Sequence, residues 1–157
     1  MNIVLLSIGK TKERYLLKGI DIYLNRLKYY NNIKLIELPN IKNIKNLSKK
    51  DLLLREGDMI LKNINQLDHI VLLDSKGRHY NSLNFSSKLQ KWMFSSNKRL
   101  VFVIGGAYGF SEHIYNRANE SLSLSDMTFS HQMVRLFFLE QLYRAYTILN
   151  NHPYHNN

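Results

Sequence analysis

The chain has 157 residues, 45% of them hydrophobic, which is enough to bury a core and too apolar for a disordered tail. It contains no cysteine, so a disulfide, a thiolate nucleophile and a cysteine-bound metal are excluded. Lys and Arg number 22 against 12 Asp and Glu, a net charge of +10 that favours a polyanionic partner through long-range attraction and counterion release.

The start, Asn2–Ile8, is an apolar run that stops at Gly9 and reads as a buried strand. Residues 11–27 carry Leu16, Ile20, Tyr23, Leu24 and Leu27 at helical spacing. Ile33–Leu38 alternates as a strand and ends at Pro39. A basic loop with Lys42 and Lys45 follows. Ser48 is placed to cap a helix running to residue 67. Residues 69–74 are a third strand and 75–78 a turn. Ser82–Phe94 is a helix containing Trp92, and 100–104 a fourth strand. Ser111 is placed as an N-cap, with Phe110 and Tyr115 positioned for a hydrophobic staple. Residues 121–125 alternate Ser and Leu as a fifth strand, 131–150 form a long helix, and 151–157 a polar tail.

Strands alternate with helices throughout, and most strands are continuous apolar runs, the mark of parallel strands buried on both faces. The expected fold is α/β, a mostly parallel sheet with helices on both faces, in a single domain over 1–157 with no linker, repeat or low-complexity block. No apolar run approaches the roughly 20 residues of a membrane helix. The first residues lack a basic leader, so a cytoplasmic protein is expected. The last helix is apolar around most of its circumference and wants cover on two sides. Its own sheet supplies one side, and a second copy of the chain is expected to supply the other, giving a homodimer.

Ligands in such sheets sit outside the carboxyl ends of the strands, and Asp74, Gly105 and Asp126 fall just past three of them. The glycines of Gly105-Gly106-Ala107-Tyr108-Gly109 let bare backbone approach a flat polar ligand. The same loop, with Asp126 about 20 residues on, keeps a nicotinamide-dependent oxidoreductase as an alternative. A non-catalytic RNA-binding or ribosome-assembly module is a second alternative. The six histidines show no zinc-helix spacing, and no metal is expected. His131, His152 and His155 could meet around the last helix and tail. Glu140 and Arg144 are spaced as an intrahelical ion pair. Arg135, on an apolar helix, needs an anionic partner, for which phosphate is a candidate. The tail sets Tyr154 and two imidazoles around Pro153, side chains that can stack on bases.

Five segments in order resemble one family: 103–110 (VIGGAYGF), 123–129 (SLSDMTF), 131–135 (HQMVR), 140–145 (EQLYRA) and 151–155 (NHPYH). They are similar to the small bacterial 23S rRNA pseudouridine N3-methyltransferases, of the SPOUT class, and the likeness runs from Ile8-Gly9-Lys10 to the tail. The resemblance implies a C-terminal trefoil knot, S-adenosyl-L-methionine as cofactor and an obligate homodimer. Its substrate would be a pseudouridine in a stem-loop of large-subunit rRNA, met on the ribosome. The cofactor contacts it implies are Leu73, Gly105 and its neighbour Gly106, and Leu124, Ser125, Asp126, Met127, Thr128 and Phe129. The family often carries proline where Ser130 stands. Removal of the imide proton, or stabilisation of the resulting anion, would fall to His131, Arg135, His152, Tyr154 and His155. Arg135 would stabilise the anion. The tail of one subunit is expected to close over the cofactor of the other. Lys42, Lys45, Lys49, Lys50 and Arg78 are candidate RNA contacts.

Overall fold

A computed structural model describes residues 1–156. In chain order the elements are β1 (Asn2–Ile8), α1 (Arg14–Leu27), β2 (Ile33–Leu38), α2 (Lys49–Leu61), β3 (His69–His79), α3 (Ser82–Phe94), β4 (Arg99–Ile104), α4 (Glu112–Arg117), β5 (Glu120–Ser123) and α5 (Met133–Leu149). A single 3-10 turn, Ile44–Asn46, interrupts the loop before α2. The five strands form one sheet in the order β2-β1-β4-β3-β5, and every pairing is parallel. The expected α/β layering is therefore present.

Alternation along the strands sorts the core into two layers. Ile3, Leu5, Leu100, Phe102 and Ile104 face α1, α3 and α5. Val4, Leu6, Ile8, Val101 and Val103 face α2 and α4. Both sides of β1 and β4 are buried, which is why these strands read as unbroken apolar runs. Phe102 is the centre of the first layer, with its ring 4.5 Å from Phe138 of α5 and 5.6 Å from Trp92 of α3. α5 is covered by α1 on one flank and α3 on the other, so much of its apolar circumference is used within one chain. Close approach of α1 to α5 depends on Gly19, where a Cβ would come within 2.9 Å of Leu136 Cδ1.

Several boundaries differ from the sequence expectation. α2 starts where expected: Ser48 accepts from the amide of Asp51 at 3.1 Å and donates to its carboxylate at 2.8 Å. It stops at Leu61 rather than 67. Residues 62–68 are a loop closed by Asp68, which accepts from the Asn65 amide at 2.7 Å and pairs with Arg99 at 2.8 Å. Arg117 ties the same loop through the Asn65, Gln66 and Asp68 carbonyls. Ser111 occupies the N-cap of α4, yet its hydroxyl makes no capping bond and is buried against Gly57. The Phe110–Tyr115 staple is present, edge to face at 5.8 Å. α5 begins at Met133, two residues later than expected.

The expected turn at 75–78 belongs to β3 as a bulge. Leu122 of β5 is the register partner of both Leu73 and Arg78, so residues 74–77 loop out between them. At Gly77 a Cβ would lie 2.5 Å from the Leu122 nitrogen, so the bulge and β5 touch backbone to backbone. This irregularity swings Asp74 and Ser75 away from the ladder and opens the space described next.

Candidate active site

A cavity of about 200 Å3 lies beside the bulge of β3 and outside the carboxyl ends of β4 and β5. β3 and its bulge contribute Leu73, Asp74 and Ser75; β4 and its loop contribute Ile104, Gly105, Gly106, Gly109 and Phe110. The end of β5 contributes Leu122 and Ser123, the chain after it Leu124, Ser125 and Met127 to Phe129, and the start of α5 with the turn before it Val134 and His131. Three separate loops meet there because all strands run the same way, so every strand ends on the same edge.

Eight of the nine residues expected to hold a cofactor line this cavity: Leu73, Gly105, Gly106, Leu124, Ser125, Met127, Thr128 and Phe129. Asp126 does not. Its side chain is 93% exposed and pairs outside with His79 at 3.3 Å. The 123–129 loop is held by its own serines: Ser123 donates to the Ser125 carbonyl at 3.0 Å, and the Met127 amide donates to Ser125 Oγ at 3.0 Å. Phe129 packs tilted against Phe137 of α5, ring centroids 4.8 Å apart, which fixes the far end of the loop. Asp74 is oriented by the Lys76 amide at 2.9 Å and by the Tyr115 hydroxyl, which donates to its other oxygen. Burial, then Asp74, raises the Tyr115 pKa, so that phenol stays a donor.

The candidate catalytic residues separate into three places. His131 lines the cavity. Burial, and then the positive charge of Arg135, lowers its pKa from the usual imidazole value, so the ring is held neutral and able to accept a proton. Arg135 is one helical turn further on and does not line this cavity. It is wholly buried, and the anionic partner that its position demands is Glu37 at the end of β2. Its guanidinium donates to Glu37 Oε1, Thr11 Oγ1 and the Ile8 carbonyl, each at 2.8 Å, leaving Nε without a partner. Thr11 also bonds Glu37 through its hydroxyl and through its amide at 2.8 Å. A second link, Gln132, accepts from the Lys12 amide at 3.0 Å and donates to the Lys10 carbonyl at 3.1 Å. Together these fasten the start of α5 to the ends of β1 and β2. Nothing in the sequence pattern pairs Arg135 with Glu37, because 98 residues separate them.

His152 and Tyr154 lie elsewhere. The Tyr154 hydroxyl reaches Tyr23 and Glu140 at 3.1 Å, and His152 Nδ1 meets the Tyr30 hydroxyl at 2.5 Å. Arg144 stacks over Tyr154 at 4.8 Å, pairs with Glu140 as the i, i+4 spacing predicts, and lies 3.3 Å from His155 Nδ1. Burial, followed by Tyr23 and Glu140, pushes the Tyr154 phenol above its ordinary pKa. None of these partners lines the cavity. The three histidines that could have met do not: His131 stands at the start of α5 and His152 and His155 beyond its end. Seventeen residues at about 1.5 Å each put those helix ends about 25 Å apart. The other histidines are structural or exposed, with His69 held by Glu120 at 3.0 Å. Among the described residues no group of three or more His, Cys, Asp or Glu could hold a metal ion. No helix among them is long and apolar enough to cross a membrane.

A parallel α/β sheet with an apolar, backbone-rich cavity at the carboxyl ends of neighbouring strands has its cavity where folds of this class take small ligands. A family model described as predicted SPOUT methyltransferase matches residues 1–155, and the chain belongs to that family. It is 53% identical to the ribosomal RNA large subunit methyltransferase H of Parabacteroides distasonis and 54% identical to that of Flavobacterium johnsoniae. Each likeness covers 156 residues, 99% of this chain and 99% of the relative. A protein of the same name from Bacteroides thetaiotaomicron is 48% identical over the same length.

Proposed function

We propose that this protein is an rRNA methyltransferase that uses S-adenosyl-L-methionine to methylate N3 of a pseudouridine in 23S rRNA of the large ribosomal subunit. The observation that carries the reading is the cavity, where eight residues named on the family likeness converge from three loops. Its chemistry suits the cofactor: Leu73, Leu122, Leu124 and Phe129 offer an apolar slot for a purine, and the serine-braced backbone of 123–129 offers hydrogen-bonding groups beside it. When bound, the cofactor supplies an electrophilic methyl group on a sulfonium. The protein's part is to position the acceptor in line, exclude water and take or neutralise one proton. His131, neutral and at the cavity wall, is the candidate proton acceptor that one chain supplies to the cavity from the start of α5. Arg135 acts through position, by fixing the first turn of α5 that carries Val134 and follows His131.

The working unit is a homodimer. The tail groups His152 and Tyr154 pack on the second half of α5 and on α1, away from the cavity of their own chain, so a tail can complete only a site on another copy. A knotted C-terminal path, as the family likeness implies, belongs to the same reading. The net charge of +10 suits a ribosomal RNA substrate, which the protein meets in the cytoplasm. The nicotinamide alternative loses its ribose-binding acid, because Asp126 stands outside the cavity.

Incubation of large ribosomal subunits from a strain lacking this protein with methyl-labelled cofactor tests the reading. Mass spectrometry should find one added methyl on a pseudouridine of 23S rRNA, and calorimetry should detect S-adenosylhomocysteine but not NAD. Tight NAD binding with no methyl transfer would overturn it.

A further inference from the structure

The tip of the glycine loop projects a single aromatic side chain out of the site. Gly106 to Gly109 close a tight turn, with the Gly109 amide donating to the Gly106 carbonyl at 3.3 Å and Gly109 at φ +83°. Gly106 and Gly109 line the cavity; Tyr108, between them, does not, and it is 56% exposed. An exposed tyrosine by itself means little. This one is mounted rigidly and paired with a cation.

Three contacts hold the turn from below. The Glu56 carboxylate presses on Gly106, where a Cβ would come within 2.6 Å of Oε1. The Gly109 carbonyl sits equally close to where a Cβ of Gly105 would be, at 2.6 Å. Phe110 is stapled to Tyr115, whose hydroxyl is bonded to Asp74. Above the turn, Lys49 Nζ stands 5.2 Å from the centroid of the Tyr108 ring, a cation–π contact that orients the ring and occupies one face. Lys49 is the first residue of α2. The exposed Lys42, Lys45 and Lys50 belong to the same segment, which leaves the carboxyl end of β2 and so shares the sheet edge that bears the cavity.

We propose that Tyr108 is a stacking platform for an unpaired RNA base next to the nucleotide that is methylated, with Lys49 and its neighbours facing the adjoining phosphates. Every base offers a π face, and a fixed ring ordered before binding loses little entropy when a base lands on it. Phosphates alternate with bases along a strand, which matches one aromatic beside a run of lysines better than an acidic protein surface would. The inference rests on RNA being the substrate.

The test compares wild type with Tyr108→Ala, Tyr108→Phe and Lys49→Ala in methyl transfer to large ribosomal subunits, with S-adenosylhomocysteine affinity by calorimetry and Tm measured alongside. Tyr108→Ala should raise KM for the subunit about 5- to 150-fold, with kcat, cofactor affinity and Tm unchanged. Tyr108→Phe should behave as wild type, because the ring is retained. Lys49→Ala should reduce the slope of log affinity against log salt by about 0.7, the loss of one phosphate contact on an unpaired strand. KM within twofold of wild type in Tyr108→Ala, or a matching loss of cofactor affinity, would overturn the platform. If wild type itself transfers no methyl, the proposed function fails. Anisotropy with a labelled unpaired oligoribonucleotide then decides the platform alone: wild type must bind more tightly than Tyr108→Ala, and equal affinity rejects it.

Discussion

Replacing Arg135 by methionine should be among the most damaging single changes in this protein, and its cost can be worked from the contacts. Methionine replaces the aliphatic stem but donates no hydrogen bond. Three acceptors, Glu37 Oε1, Thr11 Oγ1 and the Ile8 carbonyl, lose partners now at 2.8 Å. Removing one member of a buried ion pair typically costs about 3–5 kcal/mol, because the other charge is left without compensation. Glu37 is 22% exposed and water can reach it, so the lower end, about 3 kcal/mol, applies. At roughly 2–4 °C per kcal/mol for a domain of this size, Tm should fall by about 6–12 °C. The pair separates a charge effect from a packing effect. Arg135→Met combined with Glu37→Leu removes the stranded carboxylate and should recover much of the loss, giving a coupling of about 1.5 kcal/mol or more in a double-mutant cycle. Urea unfolding read by circular dichroism measures all four proteins. The reasoning is refuted if Arg135→Met costs less than about 1 kcal/mol, or if the two substitutions are strictly additive. Because His131 and Val134 flank this anchor and line the cavity, the single variant should also bind S-adenosylhomocysteine more weakly.

Three further outcomes follow from other contacts. Gly77→Ala forces a Cβ to within 2.5 Å of the Leu122 nitrogen and 2.6 Å of the Ser121 carbonyl carbon, both backbone, and should cost about 1–3 kcal/mol or more in urea unfolding; an unchanged midpoint would show that β5 does not pass so tightly. Burial raises the Glu56 pKa, and no hydrogen bond or ion pair offsets it among the described residues. The unfolded chain therefore releases this proton at lower pH than the folded one, and stability falls as pH rises from the unfolded pKa to the folded one, then stays lowered. Glu56→Gln should accordingly be more stable than wild type at pH 7, with the gap closing as the pH is brought down to about 4; a gap that does not vary with pH contradicts the assignment. Deleting residues 151–157 should abolish methyl transfer while cofactor affinity stays within twofold, and retained turnover would reject a role for the tail.

Much of the fold was legible because β1 and β4 are short apolar runs that stop at Gly9 and Gly105, β2 stops at Pro39, and each long helix has a periodic face. The β1 and β4 runs are buried on both sides, so their composition alone announces a parallel sheet. Composition could not announce where α2 ends. Leu61, Ile64 and Leu67 continue an apolar pattern, but Arg99 and Arg117, from distant segments, capture the carbonyls and carboxylate of 62–68 in a loop. Likewise α5 looked too apolar for one chain. α1 and α3 cover much of it, aided by a glycine at position 19 whose packing role has no local signature.

The candidate site divides in the same way. Glycines at 105, 106 and 109 and the Ser-Leu alternation at 121–125 are local features, and they marked the loops that enclose the cavity. By itself the sequence determined the elements, their parallel arrangement and the edge on which ligands collect, since each depends on a residue and its near neighbours. Only the tertiary structure decided that Asp126 faces solvent, that Arg135 answers to Glu37 rather than to a phosphate, and that His131 is parted from the tail by the length of α5. These facts depend on which residues far apart in the chain come within hydrogen-bonding distance, and that is settled by the packing of β1, β2 and α5, which no single stretch of the chain encodes.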